Sequence, residues 1–295
     1  MTKVLITGAT GNVGMEVIKS LQQIDHQFDL YAGLRDVETD QVKFQNDTIK
    51  FVHFDFAELT SYDEALDNCS IIFLLRPPQL SDVEKYFRPL IDTCKEKAVK
   101  HIVFLSVQGV EKSKIIPHHK IEKLIADSKI NYTFLRPAYF MQNFSTTLRS
   151  DLIHNKRIYL PAGKAKFTLI DVRDIGLVAA AILTNTSRHI NKSYELTSKE
   201  KLTFLEMANI LTNILGTEIQ YRSPNLISFF MTKRKENMPT MLILVMIMLH
   251  YFPRFQQEPK ITNWVLEISN KEPITFEQFV IDNRKILTSY KRSAT

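Results

Sequence analysis

Three glycines, Gly8, Gly11 and Gly14, stand three residues apart directly behind a short apolar run, Val4-Leu5-Ile6. Beyond them Val13, Val17 and Leu21 recur every fourth residue, with Ile18 beside them. A buried-strand signal, a turn nearly free of side chains and a helix with one apolar face, in direct succession, leave few folds open. A mobile loop would not be flanked so tightly by apolar residues. The glycines must let something approach the backbone closely. In a strand–turn–helix unit the first glycine permits the tight turn and the next admits a diphosphate. The last lets the helix pack on the strand, with its N-terminus toward the negative charge. The spacing is GxxGxxG rather than GxGxxG, so the surrounding chain has to carry the assignment.

That context is repeated. "FDLYAGLR" (28–35), "IKFVHFDF" (49–56), "SIIFLL" (70–75), "HIVFLS" (101–106) and "NYTFLRP" (131–137) read as strands two to six. Between them "SYDEALDN" is a short helix, and "SDVEKYFRPLIDTCKEKAV" (81–99) opens on an N-cap serine, Ser81, with acids in its first turn. "PHHKIEKLIADS" starts with Pro117 at a helical N1 position. The strands are nearly continuous apolar runs, buried on both faces. The fold class is therefore α/β, a Rossmann-type doubly wound parallel sheet with helices on each side.

After residue 138 the alternation weakens and a smaller mixed α/β lobe is expected. "YFMQNFSTTLRS" looks helical. "RIYLPAGKAKFTLID" reads as a pair of strands around Pro161-Ala162-Gly163, and "VRDIGLVAAAILTN" as a helix. "SYELT" and "TEIQYR" are strands; "TFLEMANILTNIL", ending at Gly216, and "PITFEQFVIDNRKIL" are helices. The domain division is 1–137 for the nucleotide lobe and 138–295 for the substrate lobe, with some strands and helices of the second part returning to the first. No flexible linker separates the lobes, so a cleft between them is expected. "MPTMLILVMIMLHYF" (238–252) is too short to span a bilayer, which needs ~20 apolar residues. It reads as a buried helix, or as an adaptable methionine-rich wall for a flat substrate or a partner.

Composition narrows the classes. The chain has 295 residues, 44% hydrophobic and 24% charged, as a globular protein with a sizeable core has. Net charge is +6, but the basic residues are scattered rather than set in one face with aromatics between, which argues against a nucleic-acid partner and suits an anionic phosphate ligand. Thr2-Lys3 leads straight into a strand with no leader-like apolar segment, and Cys69 and Cys94 form no CxxC pair. The expectation is a reduced, cytoplasmic protein with no membrane span. No His/Cys/Asp cluster has zinc spacing, so no metal is expected.

"ITGATGNVG" (6–14) resembles the fingerprint of the extended and atypical short-chain dehydrogenase/reductases. "FLLRPPQ" (73–79), "HIVFLSVQGVE" (101–111), "HHKIEKLIADSKINYTFLRPAYFMQNF" (118–144), "IDVRDIG" (170–176) and "ITFEQFVIDNR" (274–284) narrow the resemblance to the NmrA-like family, over nearly the whole chain. The resemblance implies a Rossmann-type fold that binds NADP or NAD. It implies either an NADPH-dependent reductase, of quinones among other acceptors, or a redox sensor without turnover. It puts the loop residues Gly8, Thr10, Gly11, Asn12, Val13 and Gly14 on the cofactor diphosphate. Asp55 with Phe56 would lie near the adenine, though Asp55 reads equally as a helix-capping or loop acid. Leu75, Arg76 and Pro77 after strand four, and Ser106 and Val107 after strand five, would line the ribose and nicotinamide. Pro137, Tyr139 and Phe140 would complete the cleft.

Arg35, 21 residues past Gly14 at the end of strand two, suits the 2′-phosphate of NADP, so NADP is favoured over NAD. Asp36 follows it and would read the ribose of NAD if it pointed inward. For the chemistry, none of the ten tyrosines has a lysine four residues on. The tyrosine–lysine pair of typical short-chain dehydrogenases is missing, which argues against alcohol oxidation and against a sugar-nucleotide epimerase. The candidates in its place are His118, His119 and Lys120; sister reductases carry a lysine near His118. A neutral histidine there could relay a proton, or the stretch is an exposed helix start. A quinone needs no dedicated acid, because its hydroquinone anion can take a proton from water. The sequence thus favours an NADPH-dependent reductase of a small apolar, quinone-like or conjugated carbonyl acceptor. The alternative is an NADP-binding sensor acting through a regulatory protein partner. A monomer or a homodimer fits either.

Overall fold

The computed structural model describes residues 2–44 and 48–289. Twelve strands are present among them: β1 Thr2–Ile6, β2 Phe28–Leu34, β3 Ile49–His53, β4 Cys69–Leu75, β5 His101–Leu105, β6 Asn131–Pro137, β7 Tyr139–Phe140, β8 Arg157–Tyr159, β9 Lys166–Ile170, β10 Lys192–Leu196, β11 Lys201–Thr203 and β12 Gln220–Arg222. Seven of them form one sheet in the order β10-β6-β5-β4-β1-β2-β3, and every pairing in it is parallel. The apolar runs explain this: Val4, Leu5, Ile6, Ile72, Phe73 and Leu74 have no exposed surface at all, as strands covered on both faces must. The order reverses at β1 and β4, which makes this the topological switch point, where open parallel sheets bind ligands at the carboxyl ends of their strands.

The chain divides into two units. The first comprises residues 1–138, 172–196 and 263–272; the second 139–171, 197–262 and 273–295, whose last six residues lie outside those described. The elements that return to the first unit are helix Val172–Thr184, strand β10 and helix Trp264–Ser269. Strand β10 pairs in parallel with β6. Helix Val172–Thr184 packs on helix Asn12–Leu21 through Gly176, where a Cβ would stand 2.6 Å from the Glu16 carbonyl oxygen. Only a glycine permits that approach. Trp264 packs edge-on against Tyr194 of β10, ring centroids 5.0 Å apart.

Several local expectations change. The helix expected at 81–99 runs Val83–Glu96, and its N-cap is Asp82, whose carboxylate accepts from the Lys85 amide at 3.0 Å. The stretch 139–150, expected helical, is mostly not. Tyr139 and Phe140 pair in parallel with Leu169 and Ile170, a 3-10 turn follows over Met141–Phe144, and a helix starts only at Arg149. Tertiary strand pairing overrides local propensity there. The strands around Pro161 do not pair with each other: β8 joins β12, while β9 lies between β11 and β7.

The second unit encloses its own core, with Phe144, Phe204, Phe229, Phe276 and Phe279 fully buried. Helix Phe204–Leu215 carries a capping box between Thr203 and Glu206 and ends on Gly216 in the left-handed region at φ +70°. Helix Thr240–Tyr251, expected to be buried, is buried only at Ile243, Met246 and His250. Its outer face is apolar and exposed.

Candidate active site at the carboxyl edge of the parallel sheet

The glycine turn sits where β1 and β4 part. Thr7, fully buried, ties the two strands: its amide and its hydroxyl both donate to the Phe73 carbonyl at 3.0 Å, and its Oγ1 accepts from the Leu75 amide at 3.0 Å. Sequence reasoning passed over Thr7; the only hint is a hydroxyl between an apolar strand and the first glycine. The three glycines then do three different things. Gly8 takes a left-handed φ of +59°, and a Cβ there would come within 2.9 Å of the Leu75 side chain. Gly14 is closed off by backbone, with a Cβ position 2.3 Å from the Gly8 carbonyl oxygen. Gly11 is exposed, and a Cβ on it would meet no atom within 4 Å except the Gly8 oxygen at 3.2 Å. Its outer side is open space.

Helix Asn12–Leu21 starts at this open side. Its N-cap is Gly11 and no side chain caps its first amides. Thr10 and Asn12 are exposed beside it, while Val13 turns into the core. An uncapped helix start behind a glycine with free space is a ready anion site.

Of the other predicted cofactor residues in the first unit, all but Phe56 lie at the same carboxyl edge. Arg35 is exposed just past β2. Its neighbour Asp36 does not point inward: its carboxylate caps the short helix Val37–Asp40 by accepting from the Thr39 amide at 3.1 Å, and the Thr39 hydrogen bonds hold its pKa below the usual value. Asp55 accepts from the Ala57 amide at 2.8 Å, which makes it a turn-forming acid in this structure. The ring of Phe56 is in the core against Phe54 and Phe87, with centroids at 4.9 and 5.4 Å, and does not face the edge. Ser106 is buried at the end of β5 and its hydroxyl has no partner among the described residues; Val107 is half-buried next to it. Pro137 closes β6, and its carbonyl accepts from the Gln108 amide at 2.9 Å.

Arg76 and His118 form the centre of charge. One guanidinium nitrogen of Arg76 donates to the carbonyls of Pro77, Pro78 and Leu80 at 3.1, 3.0 and 2.9 Å, folding the 76–80 segment around the cation. Its Nε donates to His118 Nε2 at 3.4 Å. These partners are all uncharged, and burial lowers the Arg76 pKa. The same burial, followed by the Arg76 charge, depresses His118 to about 3. His118 is therefore neutral at any pH near neutrality, as the relay reading requires, with its Nε2 engaged as the acceptor of the Arg76 hydrogen bond. His119 is half-buried and Lys120 exposed on the next positions of helix Pro117–Asp127, whose Pro117 stands at N1 as expected.

Tyr139 and Phe140 belong to the second unit. The Tyr139 hydroxyl lies 3.1 Å from His250 Nε2, with Phe167 and Phe204 around the ring. His250 Nδ1 faces the Met246 carbonyl at 2.6 Å and donates to it, so Nε2 accepts from the tyrosine. Burial raises the Tyr139 pKa and lowers that of His250 to about 4. This dyad joins residues 111 apart, and nothing in the sequence marks it. Among the described residues no group of three or more His, Cys, Asp or Glu is set to hold a metal, and no helix is long and apolar enough to cross a membrane.

The comparisons with known proteins agree with this architecture. The chain is 30% identical over 279 residues to prestalk A differentiation protein A of Dictyostelium discoideum, covering 94% of this chain and 90% of that protein. It is 28% identical over 289 residues to agroclavine dehydrogenase of Claviceps fusiformis, covering 96% and 98%. The structure of the NADPH-dependent quinone oxidoreductase of Escherichia coli, solved with NADPH, superposes with a TM-score of 0.85 at 22% identity, over 94% of this chain and 98% of that one. The model of the NmrA-like family matches residues 1–279, and the chain belongs to that family.

Proposed function

We propose that the protein is an NAD(P)H-dependent reductase that passes hydride to a small apolar acceptor, a quinone or another conjugated carbonyl compound, with NADPH as the preferred donor. The observation that carries the reading is the open side of Gly11 in front of an uncapped helix start at the β1/β4 switch point. The residues fit a dinucleotide: free space for a diphosphate, helix amides without a side-chain cap, and Arg35 at the end of β2 with Asp36 turned away as a cap. The bound nicotinamide supplies the hydride.

The chain supplies the rest. The amides after Gly11 hold the diphosphate, and Arg35 pairs with a 2′-phosphate. Arg76, whose hydrogen-bond partners are all neutral, leaves a net positive potential at this edge, which favours an acceptor that gains negative charge as hydride arrives. His118, held neutral, accepts from Arg76 and keeps its Nε planted; it donates no proton there. The product proton then comes from solvent: a hydroquinone anion is stable enough to form unassisted and be protonated afterwards, whereas an alkoxide is too unstable to form without an acid at hand. The names of the Claviceps and Escherichia coli proteins support a reductase of this kind.

A second reading keeps the dinucleotide and drops the turnover: a sensor of the nicotinamide redox state that signals through a protein partner. The lack of a tyrosine–lysine pair together with the neutral His118 favours it. NADPH oxidation by the pure protein separates the two, run across quinones, azo dyes and triphenylmethane dyes, with secondary alcohols and NADP as the reverse control. Turnover with the conjugated acceptors and none with alcohols is expected. Tight NADPH binding with no turnover of any acceptor would leave the sensor, and no NADPH binding would remove both readings.

A further inference from the structure

Helix Thr240–Tyr251 carries no charged side chain, and beyond Thr240 its exposed residues are apolar. At 100° per residue, Met241, Leu242, Leu244, Val245, Met248 and Leu249 spread over an outward arc of about 160°. Phe252 extends it, and Ile243, Met246 and His250 take the opposite side, toward the core of the second unit. The exposure is substantial: 72% at Met241 and 41–47% at Leu244, Val245, Met248 and Leu249. Helix Leu226–Lys235 lies beside it, and the two enclose a wholly apolar groove of about 280 Å³ lined by Leu226, Ile227, Phe230, Met231 and Ile247. Ile227 and Met231 are also exposed.

A helix that is apolar on its inner and outer faces is a buried helix, and monomers rarely expose contiguous apolar patches above a few hundred Å². We propose that a second copy of this chain covers the face, through a two-fold contact in which the outer ridge of helix Thr240–Tyr251 packs against the same ridge and groove of its mate. Three observations support this occupant. The outward residues at 241, 245, 248 and 252 follow the alternating four- and three-residue spacing by which one helix seats against another. With roughly 150–200 Å² per large side chain, the exposed fractions on the ridge, Phe252, Ile227 and Met231 leave about 700–950 Å² open, comparable to the ~800 Å² that each partner of a standard interface contributes. The ridge of helix Thr240–Tyr251 is itself free of charge and rich in Met and Leu, so no like charges meet where the two ridges cross; Arg234 and Lys235, exposed at the end of the neighbouring helix, border the face. A membrane-surface helix would instead show a Lys/Arg-rich face, and this helix has neither residue.

Sedimentation velocity of the full chain tests this, over a concentration series from about 1 to 100 µM. The wild type is expected to be a dimer in the micromolar range or tighter. Val245→Glu and Met248→Glu each place two like charges near the axis, and each is expected to weaken dimerisation by about 100-fold or more. Both sites are exposed, so circular dichroism and the melting midpoint should stay near wild type; Met241→Lys is the substitute should either fail to fold. Leu205→Glu, at an exposed leucine of another helix, should leave the dimer intact. A monomer at 100 µM overturns the proposal, as does a dimer that survives both glutamates. So does a monomer that floats with vesicles of phosphatidylcholine and phosphatidylglycerol, which would assign the face to lipid.

Discussion

Gly11 and Gly14, three residues apart, should fail in opposite ways when given a side chain. At Gly14 a Cβ would overlap the Gly8 carbonyl oxygen at 2.3 Å, the Gly8 carbon at 2.8 Å and Ala9 Cα at 2.9 Å. All three are backbone atoms of the turn, so relief requires moving the helix off the strand. Overpacking of this kind costs ~1–3 kcal/mol or more, and at this chain length each kcal/mol moves the melting midpoint by about 2–4 °C. Gly14→Ala should therefore lower the midpoint by roughly 2–12 °C. At Gly11 the only neighbour is the Gly8 oxygen at 3.2 Å and φ is −83°, allowed for any residue. Gly11→Ala should leave the midpoint within about 2 °C of wild type. Gly11→Val places a branched side chain in the space assigned to the diphosphate, so NADPH affinity should drop by about 100-fold or more, ~2.7 kcal/mol. Differential scanning fluorimetry reads the midpoints and fluorescence titration reads the affinities. A Gly11→Val protein that binds NADPH as well as wild type would refute the phosphate-turn reasoning. A Gly14→Ala protein as stable as wild type would refute the steric account.

Other outcomes follow from the same geometry. Arg35→Glu should reverse the preference for NADPH over NADH, with a loss of about 10- to 100-fold in NADPH affinity; a wild type that prefers NADH would show that Arg35 does not read the ribose. His118→Ala should lower quinone reduction by less than about 10-fold, since the imidazole is held as an acceptor, and a loss of about 100-fold or more would make it the proton donor after all. Burial depresses His101 and His250 to about 4 and His118 to about 3, so the unfolded chain binds these protons first. Stability is then full above pH 6.5 and falls as the pH drops toward 4, by about 2 kcal/mol at pH 5 for each of the buried His101 and His250; urea midpoints flat between pH 7 and 5 would contradict this.

What could be read without coordinates was what neighbouring residues settle among themselves. The strand–glycine–helix turn, the six apolar strands and the left-handed cap at Gly216 depend on sterics and hydrogen bonds within a few residues, and their spacing shows in the sequence. The parallel class followed from strands apolar on both faces, whereas the seventh strand, β10, joined the sheet from the later part of the chain. The misreadings at 81 and at 139–150 were also local, yet another partner decided them: Asp82 was the nearer cap, and Tyr139 and Phe140 had a strand to pair with.

Tertiary structure alone decided the rest, because the partners lie far apart in sequence. Thr7 meets Phe73 across the switch point, Arg76 meets His118 and Tyr139 meets His250, and no periodicity predicts which polar groups converge. The fate of His118 turned on this. As a residue type it suits proton transfer near neutral pH, and only the fold shows that burial beside the Arg76 guanidinium keeps it neutral, with Nε2 accepting from Arg76. Helix Thr240–Tyr251 makes the same point for surfaces. Its apolar residues looked like core because hydropathy reports what a side chain prefers, and only the packing of the second unit shows which of its faces is covered.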